Sequence, residues 1–77
     1  MKMELQQFVE KVKEQYDDAP EDFSADTRFR ELDEWSSLIS LSIIAMVDDE
    51  YDIVIKASDI RSVNTVGELF DVVNSKA

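Results

Sequence analysis

The segment from Ser37 to Tyr51 constrains the fold more than any other part of the chain, because it has no glycine or proline and is mostly apolar. These properties predict one uninterrupted helix. At helical spacing, one side of that helix carries Ile39, Ile43, Met46 and Val47, with Ile44 and Tyr51 beside them. The other side carries Leu38, Leu41 and Ala45. The helix is therefore apolar nearly all round.

The second apolar side of such a helix must either be buried or contact something outside the domain. Because a small domain cannot bury one helix on every side, we expect part of its surface to meet another protein or to cover a ligand. Leu38, Leu41 and Ala45 are the candidates for the exposed part, since they share the side that holds Ser37, Asp48 and Asp49. The alternative is an unusually well buried core helix.

The chain is short and lacks two residue types that carry much of protein chemistry. Its 77 residues predict a single domain over 1–77, with a small, dense core. Without cysteine, neither a disulfide framework nor a thiolate metal site is possible. Without histidine, the usual general base and the commonest metal ligand are missing. We therefore expect no enzyme and no metal site, and Ser37 is a poor candidate for a hydrolase nucleophile.

Charge indicates which partners this chain can have. Eighteen Asp and Glu residues face eight Lys and Arg residues, a net charge of -10, which opposes binding to nucleic acid and to anionic lipid. We expect partners with basic patches and, because like-charged copies repel, a monomer. The apolar runs are too short to span a bilayer, and Met1 begins a charged amphipathic segment rather than a signal peptide. These features predict a cytoplasmic protein.

The remaining segments predict an all-α fold. Apolar residues at helical spacing indicate a first helix from about Lys2 to Tyr16, which ends before Pro20. A long connection follows to about Ser36, and its four large apolar side chains should fix it on the helices: Phe23, Phe29, Leu32 and Trp35.

Beyond the second helix, the chain has room for two further helical elements. Ile53 to Ile55 reads as a short extended crossing, because no second strand pattern exists to pair with it. Residues 58–61 can form one short helical turn, and Thr65 with Glu68 fits a capping box that starts the last helix. The expected architecture is a small antiparallel helical bundle of three main helices plus one short helix, with a long first loop.

Both ends of the second helix carry features with a functional and a simpler interpretation. At its start, Ser37 can cap the helix or carry an anionic group, since a helix N-terminus favours negative charge. At its end, Asp48, Asp49 and Glu50 lie where the helix dipole disfavours anions, which suggests a docking surface for basic residues. A solvated acidic face is the simpler alternative. A calcium loop is a poor match, because Ile53 stands where the turn needs glycine.

The order of these features resembles the acyl carrier proteins. The residues that carry the resemblance are Leu32-Asp33-Glu34-Trp35-Ser36-Ser37-Leu38 followed by the apolar helix that ends in Asp48-Asp49-Glu50-Tyr51. The family signature is Asp-Ser-Leu at the start of the second helix. Acidity, the long first loop, the extended crossing and the terminal helix follow the family's order, so the resemblance covers nearly the whole chain.

The resemblance implies a carrier function. The matching serine, Ser37, would carry 4′-phosphopantetheine transferred from coenzyme A by a phosphopantetheinyl transferase, and the arm's thiol would hold acyl groups as thioesters. Acyl-activating, acyltransferase or synthase enzymes with basic docking patches would be further partners. They would contact Ser36, Leu38, Leu41, Ala45, Asp48 and Asp49. Ile43, Val47 and Tyr51 would line a core that shelters a short acyl chain.

The sequence departs from the family pattern at a few positions. Ser36 replaces the signature aspartate, Ile39 and Ser42 stand where fatty-acid carriers usually keep acidic residues, and the loop before Ser37 has no glycine. These departures favour a specialised lipid, polyketide or other secondary pathway. Two alternatives stay open, namely an aminoacyl or peptidyl carrier and an unmodified acidic adaptor or inhibitor that binds a basic partner.

Overall fold

Four α-helices and one short 3-10 helix form the secondary structure of residues 4–77, which are the residues described by the computed structural model. The helices are α1 (Leu5–Lys13), α2 (Ser37–Tyr51), α3 (Ala57–Arg61) and α4 (Val66–Ser75), and the 3-10 helix spans Phe29–Glu31. Helix α1 packs against α2 and α4, and α3 also packs against α2 and α4. No strand occurs over this range, so the predicted all-α bundle is confirmed.

The first helix is shorter than its apolar pattern predicted. It ends at Lys13 with Glu14 as the C-cap, whereas the pattern continued to Tyr16. After the cap, the backbone N–H groups of Gln15 and Tyr16 donate to carbonyls three residues back, so the α-helical hydrogen bonding ends in a tighter turn. The predicted start at Lys2 lies outside the described residues.

Tyr16 lies just beyond the end of α1 and anchors the long first loop. Its hydroxyl donates to the carbonyl oxygen of Phe29 at 2.7 Å, and its ring lies 5.9 Å from that of Phe23. Burial raises the pKa of the Tyr16 phenol, so the hydroxyl stays a hydrogen-bond donor across the physiological range. The apolar spacing predicted that Tyr16 would be buried, but not this long-range hydrogen bond.

The loop itself is fixed by buried rings, as the sequence predicted. Phe23 and Phe29 are buried, Leu32 and Trp35 are partly buried against the core, and the rings of Phe29 and Trp35 meet edge to face at 5.7 Å. Near the loop's end, the carboxylate of Glu34 accepts the backbone N–H groups just after α1, from Asp17 at 2.6 Å and Asp18 at 2.9 Å. These two hydrogen bonds therefore fix the end of the first loop, just before α2, to the chain that follows α1.

An extended crossing joins α2 to α3, also as predicted. Asp52 ends α2 in the left-handed region with φ 56, and its backbone N–H donates to the carbonyl of Asp48. Side chains then alternate, because successive residues of extended backbone point to opposite sides. Ile53 and Ile55 are buried, whereas Val54 is 71% exposed.

The capping box predicted at the last helix is present. The Thr65 hydroxyl accepts the N–H of Glu68 at 3.2 Å, and the Glu68 carboxylate accepts the N–H groups of Asn64 and Thr65 at 2.7 and 3.0 Å. Gly67 lets this helix start lie close to the first loop. Its N–H donates to the carbonyl oxygen of Ala25 at 2.8 Å, and a Cβ there would lie 3.3 Å from the same oxygen.

Glu68 should make the stability of the fold depend on pH. Hydrogen bonds from the backbone of Asn64 and Thr65 lower the pKa of the Glu68 carboxyl below its ordinary value. Its stabilising contribution is therefore complete above the ordinary carboxyl pKa and is lost as the pH falls through the lowered one. We expect Glu68→Gln to lose less stability on acidification than the wild type in urea unfolding at pH 7 and pH 3. Equal losses in the two proteins would contradict this expectation.

Candidate functional site

The two serines at the start of α2 have different roles. Ser36 is the N-cap, and its hydroxyl accepts the backbone N–H of Ile39 at 3.3 Å. Ser37 is the first helical residue, is exposed, and its hydroxyl makes no hydrogen bond within residues 4–77. Helix capping therefore accounts for Ser36 and leaves the hydroxyl of Ser37 available for chemistry.

Removal of the cap should weaken the helix that presents Ser37. Loss of a serine N-cap costs about 1 kcal/mol, because one N–H at the helix start then has no protein acceptor. We expect Ser36→Ala to lower the free energy of unfolding by about that amount in urea denaturation. Ser36→Asp is the matched control, since aspartate caps as well as serine. An alanine variant as stable as the aspartate variant would show that Ser36 is not the cap.

Helix α2 is exposed on the side predicted from its pattern. Leu38 is 71% exposed and Leu41 62% exposed, and Ala45 is exposed as well. The opposite side is buried and consists of Ile39, Ile43, Met46 and Val47. The alternative of a helix buried on all sides is therefore wrong. Large apolar side chains at this exposure are typical of a surface that meets another protein.

Ile39 changes the interpretation of one departure from the family pattern. It is only 8% exposed and belongs to the core, so its lack of charge reflects burial rather than the character of a docking surface. Ser42 is partly exposed, and Ser36 is exposed. Of the three positions where Ser36, Ile39 and Ser42 replace acidic residues, only the two serines therefore reduce the negative charge on the exposed side of α2.

The acidic residues at the end of α2 divide into two groups. Asp48 and Asp49 are exposed and form no ion pair within residues 4–77. The carboxylate of Glu50 lies 2.9 Å from Nζ of Lys11 and joins α2 to α1. The hydrogen bond to Glu50 raises the pKa of Lys11, so that cation stays charged. Glu50 thus has a structural partner, whereas Asp48 and Asp49 are available to basic groups of another protein.

A groove of about 360 Å³ lies beside Ser37. Among the residues that line it are Ser37 and Leu41 of α2, Arg30 and Trp35 of the first loop, and Arg61 at the end of α3. The two arginines could not be predicted from the sequence, because they lie far apart in the chain and belong to no motif. Only the packing of the first loop and α3 against α2 brings them to the serine.

Arg30 is oriented by the connection between α3 and α4. Its guanidinium donates to the carbonyl oxygen of Val63 from Nε at 3.2 Å and from Nη2 at 2.7 Å. Two bonds to one acceptor fix the plane of a guanidinium group. One wall of the groove is therefore a positioned cation rather than a mobile side chain.

The interior side of α2 contains the residues that the resemblance placed around a sheltered chain. Ile43 and Val47 are fully buried, and Tyr51 is partly buried with its ring 5.9 Å from that of Phe8. The Tyr51 hydroxyl is buried without a hydrogen-bond partner in residues 4–77, and burial raises the pKa of its phenol. A polar atom in this position can bond to a polar group that enters the core.

A larger groove of about 760 Å³ lies elsewhere, between the chain after α1 and the end of the first loop. It is lined by residues 16–21 and 32–34, which include several carboxylates and exclude Ser37. An anionic ligand would be repelled there, so size does not make this groove the functional one. Within residues 4–77 no group of three or more Asp and Glu side chains is arranged to hold a metal ion, and no helix is long and apolar enough to cross a membrane.

A known protein family matches this chain. A family model described as a phosphopantetheine attachment site matches residues 6–73, which is most of the chain and includes the whole of α2 and the groove beside Ser37. No curated protein and no solved structure shows significant similarity to this chain.

Proposed function

Because the chain belongs to the phosphopantetheine-attachment family, whose members carry 4′-phosphopantetheine covalently on a serine, we propose that Ser37 is that serine and that the protein is a free-standing acyl carrier. The proposal rests mainly on the contrast between the two serines. Ser36 caps α2, and Ser37 presents an exposed hydroxyl without a partner beside an open groove.

The residues around Ser37 fit the attachment of a phosphate ester. The hydroxyl lies at the N-terminus of a long helix, where free backbone N–H groups and the helix dipole favour negative charge. When bound, the arm supplies a terminal thiol that holds acyl groups as thioesters, which a chain without cysteine cannot do by itself. The chain's own part is to fix the attachment point on a rigid helix and to present it to other proteins.

Tethering is the contribution of such a carrier to metabolism. A group held on a flexible arm stays at high effective concentration near successive enzymes, whereas a free group would diffuse away. Carrier domains of this family do not catalyse reactions, and we propose the same for this chain. The missing histidine and cysteine are consistent with that role.

The exposed surface of α2 is the proposed docking site. Ser36, Leu38, Leu41 and Ala45 supply an apolar and weakly polar patch, and Asp48 with Asp49 supplies negative charge. The expected partners are a phosphopantetheinyl transferase and acyl-activating, acyltransferase or synthase enzymes with basic patches. Charge complementarity of this kind accelerates encounter and fixes orientation, while the apolar side chains contribute buried area.

The net charge of -10 argues mildly for an acyl carrier over an aminoacyl or peptidyl carrier. Ser36 and Ser42 leave the exposed side of α2 with fewer carboxylates than the family pattern, which favours a specialised lipid, polyketide or other secondary pathway. The rival from another class is an acidic adaptor that uses the same surface without modification. Such a protein would have no need of Ser37.

Intact mass separates the carrier from the adaptor. The purified protein is incubated with coenzyme A and a broad-specificity phosphopantetheinyl transferase, and its mass is compared with that of the untreated protein. We expect an increase by one phosphopantetheine, and peptide mapping should place it on Ser37. No increase under any condition would favour the adaptor.

Reversal of charge at the end of α2 should weaken docking without unfolding the protein. We expect Asp48→Lys with Asp49→Lys to reduce kcat/KM of loading by the transferase about tenfold at low salt, because surface charges steer association. The helix should persist, since lysines suit the negative end of the helix dipole. The matched control is Asp22→Lys with Asp71→Lys, which makes the same charge change at exposed residues outside α2. Equal losses in the two double variants would show a general charge effect rather than a docking site.

A further inference from the structure

The groove beside Ser37 differs in charge from the rest of this acidic protein. Its lining contains Arg30 and Arg61 and no carboxylate. Three other grooves within residues 4–77 are all lined by several Asp or Glu side chains. The chain has 18 acidic and 8 basic residues, so a groove whose only charged groups are cationic differs from the general charge of the protein. The charged side chains that line the groove beside Ser37 are therefore opposite in sign to the net charge of the chain.

Neither arginine of the groove is neutralised by the protein. Arg28 pairs with Glu31 at 3.5 Å, but Arg30 and Arg61 form no ion pair within residues 4–77. Arg30 is partly buried and held by the carbonyl of Val63, while Arg61 is exposed. A partly buried guanidinium without an anion is favourable only where it keeps access to water or to a ligand, and the open groove provides that access. Both cations are thus available to an anion at Ser37.

Guanidinium groups match one chemical class of anion at this position. The planar fork of arginine donates parallel hydrogen bonds to the oxygens of a phosphate. In Arg30, Nε and Nη2 already donate to the carbonyl of Val63, and Nη2 also donates to Asn64 Oδ1 at 3.4 Å, which leaves Nη1 for an anion. The guanidinium of Arg61 makes no hydrogen bond within residues 4–77 and keeps its whole fork. An ester of phosphate on Ser37 Oγ would place its charged oxygens one atom beyond that hydroxyl, at the mouth of the groove that the arginines line. A carboxylate at the far end of a long arm would have to fold back to reach the same point.

On this basis we propose that Arg30 and Arg61 form a built-in binding site for the phosphodiester of the attached arm and direct the arm along the groove past Trp35 and Leu41. The inference rests on the proposed attachment at Ser37 and adds to it a set of positioning residues. Its consequence is that the arm begins in one defined direction, between α2 and α3, although the protein as a whole repels anions.

Phosphorus NMR of the loaded protein tests this site directly, because the arm contributes a single phosphorus atom. Loading is first verified by intact mass, and the resonance of the native protein is compared with that of the same protein unfolded in urea, where the phosphodiester is free. We expect the native resonance to differ from the free one and to move toward it as salt screens the contact. In Arg61→Gln the ratio of bound to free phosphodiester should fall by up to about fivefold, the range of an exposed ion pair.

Two further variants complete the experiment. Arg28→Gln makes the same charge change at an exposed arginine that does not line the groove, and it should leave the resonance unchanged. Arg61→Lys keeps the charge and should restore part of the shift. If loading fails, the proposed function fails and the phosphodiester site with it. If loading succeeds but wild type, Arg61→Gln and Arg28→Gln share one resonance and one salt dependence, the carrier stands and the arginine site is overturned.

Discussion

Ser37→Ala is expected to abolish loading with phosphopantetheine completely, while the protein stays folded. The reason is chemical, since alanine has no hydroxyl to form the ester and the adjacent Ser36 uses its own hydroxyl to cap α2. The Ser37 hydroxyl has no partner within residues 4–77, so its removal should change the free energy of unfolding by less than about 0.5 kcal/mol. The measurement is intact mass after treatment with coenzyme A and transferase, together with urea denaturation.

Ser36→Ala gives the matched control for that result. It removes a hydroxyl one residue away, and at the end of the reaction it should still have gained the mass of one phosphopantetheine, although it is less stable by about 1 kcal/mol. Its rate of loading is not part of this control, because Ser36 belongs to the proposed docking surface. Ser37→Ala should therefore be stable but not loaded, whereas Ser36→Ala should be loaded but less stable. Loading of the Ser37 variant would place the attachment point elsewhere and refute the assignment of the site.

Phe29→Ala should cause the largest loss of stability among single substitutions in the first loop. Phe29 is fully buried, its ring packs edge to face on Trp35 at 5.7 Å, and its carbonyl accepts the hydroxyl of Tyr16. Truncation of a buried phenylalanine to alanine costs about 3–5 kcal/mol, through lost burial and the cavity left behind. A domain of 77 residues is stable by roughly 4–12 kcal/mol, so this loss is a large share of the total.

Urea denaturation measures that loss, and the fluorescence of Trp35, the only tryptophan of the chain, reports on the same region. Where Phe29→Ala is too unstable to fold, Phe29→Leu keeps most of the volume and should show a smaller loss in the same direction. Leu38→Ala is the surface control and should be within about 0.5 kcal/mol of the wild type, because Leu38 is 71% exposed. A loss below 1 kcal/mol for Phe29→Ala would mean that the loop is not anchored by this ring.

The family match over residues 6–73 supports both the helical bundle and a covalent arm on a serine. The paired variants at Ser36 and Ser37 test which serine carries the arm, and the charge reversal at Asp48 and Asp49 tests where partners dock.

Local features of this protein could be predicted from its sequence. The bounds of α2, the capping box at Thr65, the extended crossing after α2 and the exposure of Leu38 and Leu41 all follow from spacings of a few residues. Such features depend on contacts within one helical turn or on the alternation of one strand-like segment. The helices and the exposed side of α2 can therefore be predicted from the sequence.

Contacts between distant segments were decided only by the tertiary structure. Tyr16 bonds Phe29 from beyond the end of α1, and Glu50 pairs with Lys11. Arg30 and Arg61 line the same groove as Ser37 only because the first loop and α3 pack against α2. The physical reason is that such contacts depend on how whole elements are oriented, and no periodicity along the chain encodes that orientation. The sequence predicted that α2 begins at the serine pair, whereas the structure assigned the cap to Ser36 and determined what surrounds Ser37.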